Sequence, residues 1–348
     1  MKQDVNKWVV LGAGAGFVDA DTTEMNVDGG ELDFAMGSLG SSAHKAHINV
    51  GSATLGWYNG NTEDLSGRIY LNNSATAAFN VSTGTVTLAN ALNGGLSTTA
   101  SLTKLGAGTL ELGAENKFSG GFNISAGTVK ATTAGALGSG TVNISRNATL
   151  VVNTILANKI NVTAGATLAG NGTDNDATIE EDGILSPNAD NIGTLSFNKL
   201  TLNGGSHVKW QLQDATGAAG VGYDTLVVSV INLNNAISTK KKIHVDVTST
   251  GSFLHFDKTK LNQFKFASLT TALADGVNVT DLFSIDASQF EIDNNLTDNH
   301  LVWSMQVSAD RDMLYVTTMI PEPSTYGLGL SALALATVAI RRRKKKKN

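Results

Sequence analysis

The chain contains no cysteine, which excludes disulfides and thiolate metal sites. It holds only 3 prolines in 348 residues, and two of them, Pro321 and Pro323, stand almost together near the C-terminus. Charged residues make up 16% and aromatics 6%, and periodic runs of helix formers are nearly absent. Helical bundles and coiled coils are thereby set aside. What fills the chain is Thr, Asn, Ser, Ala and 37 Gly, interleaved with Val, Ile and Leu. β-Branched residues favour strands, and Gly and Asn supply positive-φ corners between them. The class read from this is all-β, and 348 residues suffice to bury a core.

Basic residues are scarce over most of the length. Seven of the 25 lie in Arg341–Lys347, leaving 18 against 30 acidic residues upstream, a balance of -12. An acidic body with a basic tail excludes nucleic acid as a partner, since binding it needs cations spread over a docking face.

One pattern recurs: Asn, an aliphatic residue, Ser or Thr, a corner, then Thr and an aliphatic residue. Asn80-Val81-Ser82-Thr83-Gly84-Thr85-Val86 and Asn123-Ile124-Ser125-Ala126-Gly127-Thr128-Val129 are two copies. Copies opening at Asn143 and Asn161 carry one extra residue each, and Asn49 opens a weaker relative. The copies at 123, 143 and 161 lie 20 and 18 residues apart. At roughly 3.3 Å per residue, that length makes a coil of two or three short strands. A single coil cannot bury its aliphatic side, but stacked coils put Ile124, Ile144 and Val162 in one interior column. The spacing predicts a parallel β-helix with Asn and Ser/Thr ladders at its corners. A flat β-sandwich is the alternative, and it lacks a constant period.

Lys104, then Leu105-Gly106-Ala107-Gly108-Thr109-Leu110-Glu111-Leu112, Asn116-Lys117-Phe118-Ser119-Gly120 and Ala126-Gly127-Thr128-Val129 resemble the autotransporter-associated β-strand repeat. The likeness runs from about Leu102 to Val230 and is loose before it. It implies a right-handed parallel β-helix of the passenger type. Unlike true autotransporters, the C-terminus carries no run of alternating strands long enough for a barrel. Beyond about Asn235 the repeat fades into ordinary alternation, as in Ile243-His244-Val245-Asp246-Val247. The expected organisation is therefore a repeat domain over 1–235, a β-rich cap and spacer over 236–320, and a tail over 321–348.

In that tail Pro321-Glu322-Pro323 precedes fifteen uncharged residues, Tyr326 to Ile340, and then Arg341, Arg342, Arg343 and four lysines. As a helix the apolar run extends about 22 Å, short of the ~30 Å hydrocarbon core, with flanking cation stems making up part of the difference. The basic cluster orients the C-terminus to the cytoplasm. The layout resembles the PEP-CTERM sorting domain. That resemblance implies a short transmembrane helix, transient residence in the inner membrane, and processing by an exosortase near Pro321–Pro323. Release to the outer membrane, the surface or the medium would follow. A plain tail anchor or an interfacial helix is the alternative, and neither requires Pro-Glu-Pro. Met1–Ala20 makes a poor signal peptide, with Asp4 among its lysines and glycines within its apolar run. It reads as a strand, with the true leader outside this chain.

Other constellations carry no assigned chemistry. Gly12-Ala13-Gly14-Ala15-Gly16 has its third glycine one place early for a dinucleotide fingerprint, and no amphipathic helix follows. Asp174, Asp176, Glu180, Glu181 and Asp182 fit no calcium loop and read as a solvated corner. The six histidines are scattered, and His44 and His47 lack a metal-binding helix, so they read as surface positions. No catalytic, cofactor or metal residue is assigned. The expected function is a non-enzymatic structural or adhesive surface protein, with glycans or matrix polymers as partners. The alternative is a polysaccharide lyase or hydrolase on the same scaffold.

Overall fold

The computed structural model describes residues 7–10, 24–39, 47–249, 251–257, 260–297 and 301–320, with backbone alone at 7–10. One coil shows the principle. The strand Phe122–Ile124 turns a corner at Ser125 and Ala126 into the strand Gly127–Ala131. A longer connection then returns to Val142–Ile144, which lies parallel against Phe122–Ile124 with Ile124 opposite Ile144. Among the described residues, repetition of this path builds a 14-stranded and a 9-stranded sheet, plus a 3-stranded sheet on the first coils. In the parallel parts each strand pairs with the strand two places on, the arrangement of a parallel β-helix.

Register puts one side chain per coil into an interior column. Leu32, Leu55, Phe79, Lys104, Ile124, Ile144, Val162, Ile179 and Leu202 follow one another across successive strand pairs. Each is buried. Burying one such aliphatic side chain contributes roughly 1.5–3 kcal/mol, and adjacent coils share the benefit. The expected stacking of Ile124, Ile144 and Val162 is thus present. An asparagine ladder is present too, but inside the strands rather than at the corners expected: Asn143 Nδ2 donates to Asn123 at 3.0 Å, and Asn161 Nδ2 to Asn143 at 2.9 Å.

Corners close tightly because of glycine. Gly106 has φ +79°, and a Cβ there would sit 2.3 Å from the Val81 carbonyl oxygen of the previous coil. Gly127, one coil on, would bring a Cβ within 2.5 Å of the Gly106 carbonyl. The Gly-x-Gly and Ala-Gly-Thr signatures are therefore stacking contacts as well as turns.

Parallel pairing continues past residue 235, where the sequence repeat fades. Ile243–Thr248 pairs with His207–Gln211, and Phe283–Asp286 then pairs with Ile243–Thr248. Among the described strands the direction changes where Met313–Met319 joins Asn262–Leu269 antiparallel and Val302–Val307 joins its other edge. Arg311 pins this hairpin, donating to the carbonyls of Leu273, Ala274 and Val277 at 2.7–2.9 Å. Aromatics thicken the interior near the two ends, Phe34, Trp57 and Phe79 at one and Trp210, Tyr223 and Phe264 at the other.

Among the described residues no helix is long and apolar enough to cross a membrane. The expected spanning segment, Tyr326–Ile340, lies outside the described residues, as do Gly12–Gly16, His44 and the sorting residues Pro321–Pro323 and Arg341–Arg343.

Candidate binding groove and sorting motif

The long connections that return each coil to its first strand form a third side of the molecule. Buried asparagines fix them. Asn116 Oδ1 accepts the Leu92 N–H at 2.8 Å, while its Nδ2 donates to the Ala136 carbonyl at 2.7 Å and to Ala114 at 3.2 Å. One side chain thus ties three successive coils. Asn93 binds both the N–H and the carbonyl of Leu71, and Asn158 donates to Gly138 and Gly140. Each bond satisfies a backbone group that would otherwise be buried without a partner.

Held this way, the connections enclose an open groove of about 580 Å³ lined by Asn73, Ser97, Thr99, Glu115, Lys117 and Ser119, among others. Its rim is braced where Thr99 Oγ1 accepts the Ser74 N–H at 2.9 Å and Asn73 Oδ1 accepts the Thr99 N–H at 3.2 Å. The Glu115 stem lies over Gly135, where a Cβ would come within 2.8 Å of Glu115 Cγ. More than half of the lining residues carry a hydroxyl or an amide, with one carboxylate and one ammonium, Glu115 and Lys117, although most of the surface they expose to the groove is carbon. Such a surface offers hydrogen bonds to a polyhydroxylated ligand. Asn116-Lys117-Phe118-Ser119 was legible as a turn motif, but its place beside Asn73 and Ser97 depends on coil stacking.

Ionisable groups also lie inside the stack. Lys104 occupies the aliphatic column, fully buried, and its Nζ donates to the carbonyls of Leu105 and Gly106 at 2.8 Å and of Ala126 at 3.2 Å. Burial pushes its ammonium down to about 8. Asp224 is pushed up to about 8 by burial, against two backbone N–H bonds from Gln211 and Gly193 at 2.8 Å. Asp174 corrects the reading of its cluster as a solvated corner. It faces inward between Leu156 and Phe197, fully buried, with no hydrogen bond to either oxygen. Strand alternation sends Asp174 inward, whereas Glu180, Glu181 and Asp182, at the following corner, stay exposed.

Two family descriptions match this chain. A passenger-associated-transport-repeat covers residues 102–131, the coil that carries Lys104, Gly106, Asn116 and Gly127. A PEP-CTERM protein-sorting motif covers residues 320–344. The chain carries a PEP-CTERM sorting motif. No curated protein matches the chain. The PEP-CTERM motif is a sorting signal processed by an exosortase, and it marks an exported protein destined for the cell envelope or surface. Its match includes Pro321, Glu322, Pro323, Arg341, Arg342 and Arg343, the positions singled out in the sequence. The passenger-type repeat fits the parallel coils built around it.

Proposed function

We propose that this exported protein is a structural or adhesive β-helix of the cell surface or extracellular matrix that holds polysaccharide in the groove beside Glu115 and Lys117. The observation that carries the reading is the lining, where exposed residues with hydroxyls or amides from successive coils, Asn73, Ser97, Thr99 and Ser119, flank Glu115 and Lys117. Glycoside hydrolysis ordinarily uses two carboxylates, and Glu115 stands alone among the lining residues. Binding is therefore favoured over an extracellular polysaccharide hydrolase, and the lyase alternative would have to use Lys117 as its base. The helix winds right-handed, as parallel crossovers do, and the hairpin near residue 320 serves as its cap. The segment Tyr326–Ile340 resides briefly in the inner membrane, with Arg341–Arg343 as the cytoplasmic stop.

A glycan array tests the groove. Ser97→Trp fills it from an exposed position, so the variant should melt like the parent and lose at least tenfold in binding. Equal binding by parent and Ser97→Trp would remove the groove from the account. Release of reducing ends from the same glycans would establish the enzyme instead.

A further inference from the structure

The antiparallel hairpin carries an apolar row on its outer face, at the rim where the chain leaves for the tail. Val302 lies directly opposite Met319 on the neighbouring strand. Asn262 is opposite Thr318, so Leu261, one residue earlier, comes level with Met319 on its other side. The side chains of Val302, Met319 and Leu261 are 52%, 37% and 50% exposed. With strands about 4.8 Å apart, the row is about 10 Å wide.

Alternation sends the row outward. Leu314, Val316 and Thr318 are buried on the inner face, so Met319 takes the outer one. Trp303, next to Val302, turns inward onto Phe290 with ring centroids 5.7 Å apart, and its Nε1 donates to Glu291 at 2.7 Å. The adjacent outer row is polar, formed by Gln263, Thr317 and Ser304, and the two hydroxyls bond each other at 2.8 Å. A lone exposed apolar side chain needs no explanation, but three level with one another at a rim mark a contact edge.

The position of the row names its partner. Ile320 follows Met319, and only the five residues 321–325 separate it from Tyr326. Fully extended, those five span at most roughly 18 Å. With Tyr326–Ile340 resident in the inner membrane, the reading on which this docking rests, the row stands close to the lipid headgroups. We propose that Leu261, Met319 and Val302 dock on the non-cytoplasmic face of that membrane while the tail is in place. Charge does not drive the contact, since the body is acidic and Lys260, beside Leu261, is paired with Asp257 at 2.8 Å. Apolar burial in the headgroup region carries it. The tail makes docking intramolecular, so a row too small to hold a free body suffices. Docking keeps Pro321–Pro323 at headgroup level for processing, and removal of the tail lets the body go.

The absence of cysteine allows single labels to be placed without background. Full chains carrying Val302→Cys, Met319→Cys or Leu96→Cys, each labelled with the fluorophore NBD, are reconstituted in phosphatidylethanolamine–phosphatidylglycerol vesicles containing nitroxide-labelled lipid. Resistance to alkaline carbonate extraction reports insertion of the tail. Labels at 302 and 319 should shift to the blue and lose at least half of their emission to the nitroxide. The label at Leu96, an exposed apolar residue far along the stack, should stay unquenched. Val302→Glu should melt like the parent and remove the quenching at 319. Extraction of the chain by carbonate would sink the anchor reading and the docking with it. An inserted chain with unquenched labels at 302 and 319 would overturn the docking alone. A blue shift without quenching, the mark of a second copy covering the row, would do the same.

Discussion

Asp174 sits where the repeat calls for an apolar side chain, between Leu156 and Phe197, with neither oxygen hydrogen bonded. Burial pushes its carboxyl up to about 7 from 3.8. Between those values the native chain keeps a proton that the unfolded chain has released, so stability falls as pH rises through the window. At about 1.36 kcal/mol per unit the whole effect is on the order of 4 kcal/mol. Asp174→Leu should therefore raise the denaturant midpoint at pH 7.5 and flatten its fall between pH 4.5 and 7.5. An unchanged profile would mean that Asp174 is solvated in solution. Asp224 adds a slope of the same sign, reaching to about 8. Lys104 acts oppositely: above about 8 the native amine has released a proton that the unfolded chain holds to about 10.5, so stability rises there.

At the level of the element, the unit is the coil rather than the strand. The strand Val142–Ile144 is three residues long and gains its stability from neighbours on both sides. Ile144 touches the interior column between Ile124 and Val162. Ile144→Asp would bury a charge with no partner, a cost of several kcal/mol, and the loss should spread to the flanking coils. Hydrogen exchange should show protection falling together over the strands near residues 124, 144 and 162. Loss confined to Val142–Ile144, or none, would contradict the shared column. Asn116 illustrates the same dependence among polar groups, since its bonds to Leu92 and Ala136 exist only when three coils are stacked.

The whole molecule combines a coil stack with a tail addressed to the export machinery. Proline has no backbone N–H, so Pro321 and Pro323 take two donors from that junction, which bears on how a processing enzyme can engage it. In a host with an exosortase, mature protein in the surface fraction should lack Arg341–Asn348. Glu322→Ala should leave full-length chain in the inner membrane. Mass spectrometry distinguishes these outcomes, and an intact lysine-rich terminal peptide at the surface would make the tail an ordinary anchor.

The sequence by itself determined the all-β class, the coil period, the Ile124–Ile144–Val162 column and the sorting motif, because each is written in local spacing. A 20-residue period and a Pro-Glu-Pro ahead of an apolar run need no partner elsewhere in the chain to be seen. Tertiary structure alone decided what stands beside what. Past residue 235 the coils continue without the repeat's signature, because parallel backbone pairing needs no particular side chain. Lys104 enters an apolar column because three corner carbonyls await its ammonium, and Asp174 turns inward because strand alternation overrides its charge. The groove arises from the stacking of coils, which brings Asn73, Ser97 and Glu115 together and which no local pattern encodes.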